Sequence, residues 1–424
     1  MKIKNIHAIE ILDSRGIPTI STEVELWSGD KAKGEVPSGA STGENEVLEL
    51  RDGDMQRYNG KGVHKAVEIV NTIIKDAVVD KEFESQKALD EFLIQLDGTK
   101  NKSKLGGNSI LSVSMAFCRA VSQRIGLELY EYIGMIYWDK EYSEDKFKLP
   151  MPQILLMEGG RHGNWSTDIQ EYMIIPKENI FPNFKETLRA GSEIFHSIHN
   201  ILDEKGYSVG VGYEGAYAPK EIQSNKEALD ILVMGIERAG YTPGNQFGIA
   251  LDIASSEFFN KESKKYELKR ENKILDSSEW FNIQKEWYSQ YPTYSIEDPM
   301  DQNSWEDWSM FVRELGNVYQ VVGDDLLTTN TNLIQKGITE KAMNAVLIKL
   351  NQIGTVTETL NAIKMTQDNG MKAVISHRSG ETNDTFIADL VVATSAQQSK
   401  FGGPDRGERL AKYNRLLEID NILY

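Results

Sequence analysis

Beyond residue 18 the chain alternates. Ile20, Thr22, Val24 and Leu26 share one face, and Ser21, Glu23 and Glu25 share the other. A period of two marks a half-buried strand, because successive side chains of an extended chain point to opposite faces. Asp13-Ser14-Arg15-Gly16-Ile17-Pro18 before it is turn-forming and joins it to a strand around residues 6–11. The N-terminal region therefore begins as an antiparallel sheet. The period then becomes helical. Leu89, Phe92, Leu93 and Leu96 recur at helical spacing, as do Ile110, Val113, Phe117 and Val121. Asn108 or Ser109 suits the N-cap of the second helix, and Gly126 its stop. Strands followed by helices predict an α+β domain. It ends near residue 140, where Asp139-Lys140-Glu141 precedes Leu149-Pro150-Met151-Pro152.

Past that point a different pattern repeats. A short apolar run ends in a charged or polar group, and a helical segment follows. The runs end at Asp252, Glu297, Asp324, Lys349 and His377, spaced 45, 27, 25 and 28 residues apart. A βα unit takes roughly 25–30 residues, so the last three intervals read as consecutive units and the first as a unit with an insertion. A doubly wound sheet also carries functional groups at strand ends. The repeat fits an α/β fold with a β/α barrel over residues 141–424, behind a cap over residues 1–140. In such a barrel the strand ends share one mouth, and these five groups converge.

Length and composition agree. The chain has 424 residues, enough for a barrel of about 250 residues and a smaller partner domain. The net charge of −17 argues against nucleic acid or an anionic membrane as partner, since phosphates attract basic surfaces. It leaves room for a small anionic ligand at a locally basic site. The one cysteine, Cys118, lies in an apolar helical pattern and reads as core, and a single cysteine forms no intramolecular disulfide. The opening Met1-Lys2-Ile3-Lys4-Asn5-Ile6 lacks the apolar stretch of a signal peptide, and no apolar run is long enough to span a bilayer. The expected location is the cytoplasm.

The strand-end groups define a chemistry. Asp252, Glu297 and Asp324 are hard oxygen donors, suited to Mg²⁺ and, without accompanying His or Cys, not to zinc. Lys349 ends a strongly apolar strand. Near bound cations its charged form is disfavoured, so it suits a general base; the other reading is a structural ion pair to Asp324 or Asp325. A magnesium site beside such a lysine fits removal of a proton alpha to a carboxylate, where fixed cations hold the developing charge. Elimination also needs an acid on the opposite side. Glu171 and Glu214 are candidates, and each reads equally as a solvated loop glutamate; spacing does not choose. His377-Arg378-Ser379-Gly380 offers an arginine fork and a hydroxyl suited to phosphate, and Lys400 is a further cation. Gly210-Val211-Gly212-Tyr213-Glu214-Gly215 matches G-x-G-x-x-G literally, but no long apolar strand precedes it and Pro219 blocks a helix, so no dinucleotide site follows.

These residues sit in blocks that resemble the enolase family nearly from end to end. Ile11-Leu12-Asp13-Ser14-Arg15-Gly16 is similar to the family's opening, and Val36-Pro37-Ser38-Gly39-Ala40-Ser41-Thr42-Gly43 to its small-residue loop. Ser295-Ile296-Glu297-Asp298-Pro299, Val322-Gly323-Asp324-Asp325-Leu326, Leu350-Asn351-Gln352-Ile353-Gly354-Thr355 and Ser376-His377-Arg378-Ser379-Gly380-Glu381-Thr382 are long, specific matches, as is Glu408-Arg409-Leu410-Ala411-Lys412. The resemblance implies an α+β cap on a modified (β/α)8 TIM-type barrel whose first strands are antiparallel. It implies reversible dehydration of 2-phosphoglycerate to phosphoenolpyruvate, the glycolytic and gluconeogenic step, by a homodimer or homo-octamer. Two Mg²⁺ per site are implied, the second arriving with substrate. By motif position Asp252, Glu297 and Asp324 would hold the first, and Ser41 would help bind the second and the phosphate. Lys349 would be the base. Glu214, assisted by Glu171, would serve the departing hydroxyl. Arg378 and Ser379 would grip the phosphate, with His162, Gln170, His377 and Lys400 lining the pocket. Three departures cluster near the acid side. Tyr213 and Ala216 interrupt a usual Gly-Asp-Glu-Gly-Gly, Glu158 stands for an Asn before Gly159-Gly160, and Trp165 replaces a small polar residue. They motivate an alternative: a paralogue acting on a related phosphonate, of the carboxyphosphonoenolpyruvate synthase type.

Overall fold

The computed structural model describes residues 1–39 and 43–424; Ser41 lies outside the described residues. Strands β1 (Ile3–Leu12), β2 (Pro18–Leu26) and β3 (Lys31–Glu35) form an antiparallel sheet in that order. The β1–β2 turn is held by Asp13, whose Oδ1 accepts the N–H groups of Arg15 (2.8 Å) and Ile17 (3.0 Å). The expected half-burial of β2 holds only for its second half: Pro18 to Thr22 are buried on both faces. A helix, Gly107–Ile125, lies across β2 and β3, and the Thr22 and Ser112 hydroxyls meet at 2.6 Å. Gly34 permits that approach, since a Cβ there would sit 2.5 Å from the Ser112 carbonyl oxygen. The same helix starts before the expected cap. Asn108 is already helical, and its side chain instead pairs with the backbone of Leu50, accepting at 3.1 Å and donating at 3.2 Å. Gly126 ends the helix in the left-handed conformation at φ 72°. Cys118 is buried within it.

Eight strands close the barrel among the described residues: β4 (Met151–Glu158), β5 (Glu171–Pro176), β6 (Phe247–Asp252), β10 (Thr293–Glu297), β11 (Gln320–Gly323), β12 (Ala345–Ile348), β13 (Lys372–Ser376) and β14 (Gln398–Lys400). The long interval after Asp252 holds a small antiparallel sheet, β7 (Phe259–Asn260), β8 (Lys265–Leu268) and β9 (Lys273–Leu275). All neighbouring barrel strands are parallel except β5, which runs antiparallel to both β4 and β6. Outward residues such as Ile154, Ile249, Val321 and Val346 join the main core. Inward, Val322, Ala345, Leu347 and Val374 form their own cluster, and Gln153, Gln320 and Gln398 are hydrogen-bonded to one another. Those polar groups are satisfied without water, which keeps the lumen a packed core.

The cap is fixed to the barrel by polar contacts as well as packing. Arg119 forks onto the Asp384 carboxylate. Asp90 Oδ2 accepts the N–H and hydroxyl of Thr357, at the first turn of the barrel helix Val356–Asp368.

Candidate active site

Strand direction decides which residues meet. On a parallel strand the C-terminal residue lies at the barrel mouth; on the reversed β5 the first residue does. The register across the sheet therefore runs Glu158, Glu171, Asp252, Glu297. Asp324, Lys349 and His377 directly follow β11, β12 and β13, and Lys400 ends β14 beside Ser376. A cleft at this mouth is lined by His162, Gln170, Glu171, Glu214, Asp252, Asp324, Lys349, His377, Arg378, Ser379 and Lys400. Glu297 is not in the lining; its carboxylate is bound to Lys400.

Two lysines organise the carboxylates. Lys400 Nζ lies 2.9 Å from Asp252 Oδ2, 2.8 Å from Glu297 Oε1 and 3.1 Å from Glu171 Oε2. Lys349 Nζ lies 2.6 Å from Asp324 Oδ2, so the ion-pair reading of this lysine is present in the geometry. Burial disfavours its charge, but Asp324 more than offsets that and leaves the Lys349 pKa raised. The lowered value expected of a base beside cations is not a property of the chain alone. Asp324 is pushed up by burial, yet Lys349 pulls it below the usual carboxylate range. The carboxylates separate toward their lysines. Among the described residues two clusters bring ligand atoms within 4.8 Å of one another, Asp298 with Asp324 and Asp325, and His162 with Glu171 and Glu214. Asp298 accepts the backbone N–H groups of Asp324 and Asp325, each at 2.9 Å, which fixes the turn presenting Asp324.

The donor set fits a hard divalent cation. It is made of buried carboxylate oxygens, which Mg²⁺ prefers. It also carries more negative charge than its lysines neutralise. Burial, then Asp252, pushes Glu297 well above the usual range; burial, then Asp324, pushes Asp325 to about 8.

The same cleft holds two carboxyls in unlike surroundings. Glu171 is pushed well above its usual range by burial and by Glu214, against the pull of Lys400. Glu214 goes the other way. Burial pushes it up, but His162, with Nδ1 at 3.2 Å, more than offsets this and leaves it well below. His377 Nε2 faces Glu214 Oε2 at 3.6 Å. Arg409 Nη1 lies 2.7 Å from His377 Nδ1. An arginine only donates, so Nδ1 accepts and the neutral ring carries its proton on Nε2, toward Glu214. Burial keeps His377 neutral by lowering its pKa well below the usual value.

At the third side, Arg378 Nη1 donates to Glu46 Oε2 (3.0 Å) and Asn351 Oδ1 (2.9 Å), while Arg15 Nη1 donates to the Ser379 hydroxyl (3.2 Å). Arg409 also donates to the carbonyls of Arg378 (2.6 Å), Ser379 (2.7 Å) and Tyr213 (3.1 Å). Sequence reasoning missed Arg409, Arg15, Glu46 and Asp298 as site residues. All but Glu46 sit inside the quoted family-like blocks, which was the available signal; none ends an apolar run. Of the departures, Tyr213 is 45% exposed and Trp165 is half-buried with Lys269 Nζ 5.3 Å from its ring; neither lines the cleft. Glu158 is buried.

Comparison with known proteins agrees with the geometry. Residues 3–133 match the family model described as enolase, N-terminal domain, and residues 146–424 match the one described as enolase, C-terminal TIM barrel domain. The enolase of Bifidobacterium longum subsp. infantis is 48% identical over 421 residues, covering 99% of this chain and 94% of that protein.

Proposed function

The chain belongs to the enolase family and is a hydro-lyase of the phosphopyruvate hydratase type, and from that premise we propose that it catalyses the reversible, Mg²⁺-dependent dehydration of 2-phosphoglycerate to phosphoenolpyruvate in the cytoplasmic glycolytic and gluconeogenic route. We place the cap–barrel boundary near residue 140 and expect a homodimer or homo-octamer. One observation supports the reading: among the described residues Lys349, Glu171, Glu214, Arg378 and Ser379 all line one cleft at the barrel mouth.

Each group has a task. Arg378 and Ser379 bind the substrate phosphate, the arginine exchanging its contact to Glu46 for a bidentate hold. Asp252, Glu297 and Asp324 would hold Mg²⁺, and Ser41 would help bind a second ion; when bound, the metal would supply positive charge to stabilise the substrate carboxylate. Lys349, unprotonated, takes the C2 proton, and that bond's electron pair moves toward the carboxylate. The C3–O bond then breaks. Glu171, whose burial favours its protonated form, passes a proton by way of the ionised Glu214, so that the hydroxyl leaves as water. His162, Gln170, His377 and Lys400 complete the wall and exclude solvent.

The test is the rise in ultraviolet absorbance as the enol product forms from 2-phosphoglycerate and Mg²⁺. No turnover by folded, magnesium-replete protein would overturn the assignment; turnover of a phosphonate analogue alone would favour the paralogue.

A further inference from the structure

Glu158 is the departure from the family pattern that the fold places against the acid side. It ends β4, is 1% exposed, and its carboxylate is turned to the tight loop 212–216. Oε1 accepts the N–H of Glu214 at 3.2 Å and that of Ala216 at 3.1 Å, and Oε2 also lies 3.2 Å from the Glu214 nitrogen. The loop is shaped to receive it. Gly212 has no Cβ, and one built there would meet the Glu158 carboxylate at 2.4–2.8 Å. Gly212 N–H returns to the Ala216 carbonyl at 2.9 Å, closing the turn around the carboxylate.

The backbone of Glu158 pins a second loop. Its carbonyl accepts the Ser166 hydroxyl at 2.9 Å, and a Cβ on Gly163 would meet that carbonyl oxygen at 2.2 Å. This loop carries His162, whose carbonyl in turn receives the Tyr213 N–H at 3.5 Å. One residue thus spans the loop holding His162 and the loop holding Glu214, and these two side chains meet at 3.2 Å.

We infer that Glu158 is a positioning residue for the acid side: by accepting the backbone N–H groups of Glu214 and Ala216 it sets the Glu214 carboxylate against His162 and His377. It touches no substrate-facing volume itself, being absent from the cleft lining. Its own carboxyl is pushed to about 8 by burial and by Glu214, so at neutral pH glutamine is its fair isostere. An alanine at 158 leaves two buried N–H donors unanswered and frees the loop.

The inference rests on the dehydration proposed above, and one experiment separates the two. Proton removal at C2 uses Lys349, remote from Glu158, whereas loss of the hydroxyl uses the acid side. Exchange of the C2 proton with D₂O, followed by NMR, reports the first; product absorbance reports the second. Glu158→Ala should lower turnover about 10- to 100-fold, the scale expected when a reacting group is misplaced by about 1 Å, with exchange and KM little changed. Glu158→Gln should restore turnover to within about 3-fold. If Glu158→Ala is insoluble, Gly212→Ala pushes the same carboxylate off its donors and carries the same expectation. Exchange and turnover falling together, or turnover unaffected, overturns the inference. Wild-type protein with neither exchange nor turnover overturns the proposed reaction instead.

Discussion

Lys349 Nζ sits 2.6 Å from Asp324 Oδ2, so the candidate base and a candidate metal ligand form one ion pair. A cation bound at Asp324 competes with Lys349 for that carboxylate, which couples metal binding to release of the lysine's proton. Lys349→Ala should therefore cut exchange of the substrate's C2 proton with solvent by about 10²- to 10⁴-fold. Mg²⁺-dependent substrate binding, measured by calorimetry, should persist. Exchange at the wild-type rate in this variant assigns the base to another residue.

Across the cleft the expected behaviour is the reverse. Glu214 is held ionised against His162, and burial, with Glu214, pushes Glu171 the opposite way, toward its protonated form. Glu214→Gln removes a charge that shapes both neighbours. It should lower turnover by about 10²- to 10⁴-fold while C2 exchange continues. Burial raises the Glu171 pKa, so it holds its proton to higher pH than an ordinary glutamate and loses it as pH rises; turnover should fall on the alkaline side before exchange does. A parallel loss of both in Glu214→Gln would place this residue on the base side or in the fold alone.

The half of the site that was readable from sequence shares one trait. Asp252, Glu297, Asp324 and Lys349 each end or directly follow an apolar parallel strand, so a hydrophobic run announces them. Glu171 begins a strand, because β5 is reversed, and burial pattern alone is blind to strand direction. Lys400 ends a three-residue strand, Gln398-Ser399-Lys400, with no apolar member; the lumen's hydrogen-bonded glutamines explain why that strand can be polar. Its three carboxylate contacts join residues up to 229 positions apart in sequence, as Glu171 and Lys400 are, and no local pattern encodes them. The pairing of β1 with β2 in the cap sheet was legible, but the third strand, β3, was not. Nor was the sheet's burial, since the covering helix starts about 80 residues later.

Asp90 ties stability to pH. It is fully buried between cap and barrel, accepts the Thr357 N–H at 2.9 Å and its hydroxyl at 2.6 Å, and burial raises its pKa from 3.8 to about 6. Between those values the folded chain holds a proton that the unfolded chain has released. The resulting stabilisation is full below the unfolded value and is lost as pH rises through the folded one. Asp90→Asn should flatten the decline in urea midpoint between pH 4.5 and 7, provided other groups titrate alike in both proteins. Asp90→Ala should cost about 1–3 kcal/mol at either pH by leaving the Thr357 groups unpaired. An identical pH slope in wild type and Asp90→Asn would remove Asp90 from the account.

Glu297, Asp298 and Asp325 are all pushed upward, by burial first and then by neighbouring acids. Crowded carboxylates of this kind destabilise the fold that holds them, and a divalent cation relieves the repulsion. Mg²⁺ added to chelator-treated protein should raise the melting temperature, by an amount equivalent to about 2.7 kcal/mol at a hundredfold excess over its Kd. Sodium at matched ionic strength should not, because screening acts weakly on buried charges. Protons compete for the same oxygens, and these groups hold them at higher pH than usual, so the Mg²⁺ shift should be smaller at pH 6 than at pH 8. Asp252→Asn removes one anionic donor and leaves the Lys400 contacts to Glu297 and Glu171. Its own melting temperature without metal should match or exceed wild type, and its Mg²⁺ shift should largely vanish. A full shift in that variant would move the cation to Asp298, Asp324 and Asp325, an acidic cluster at this mouth.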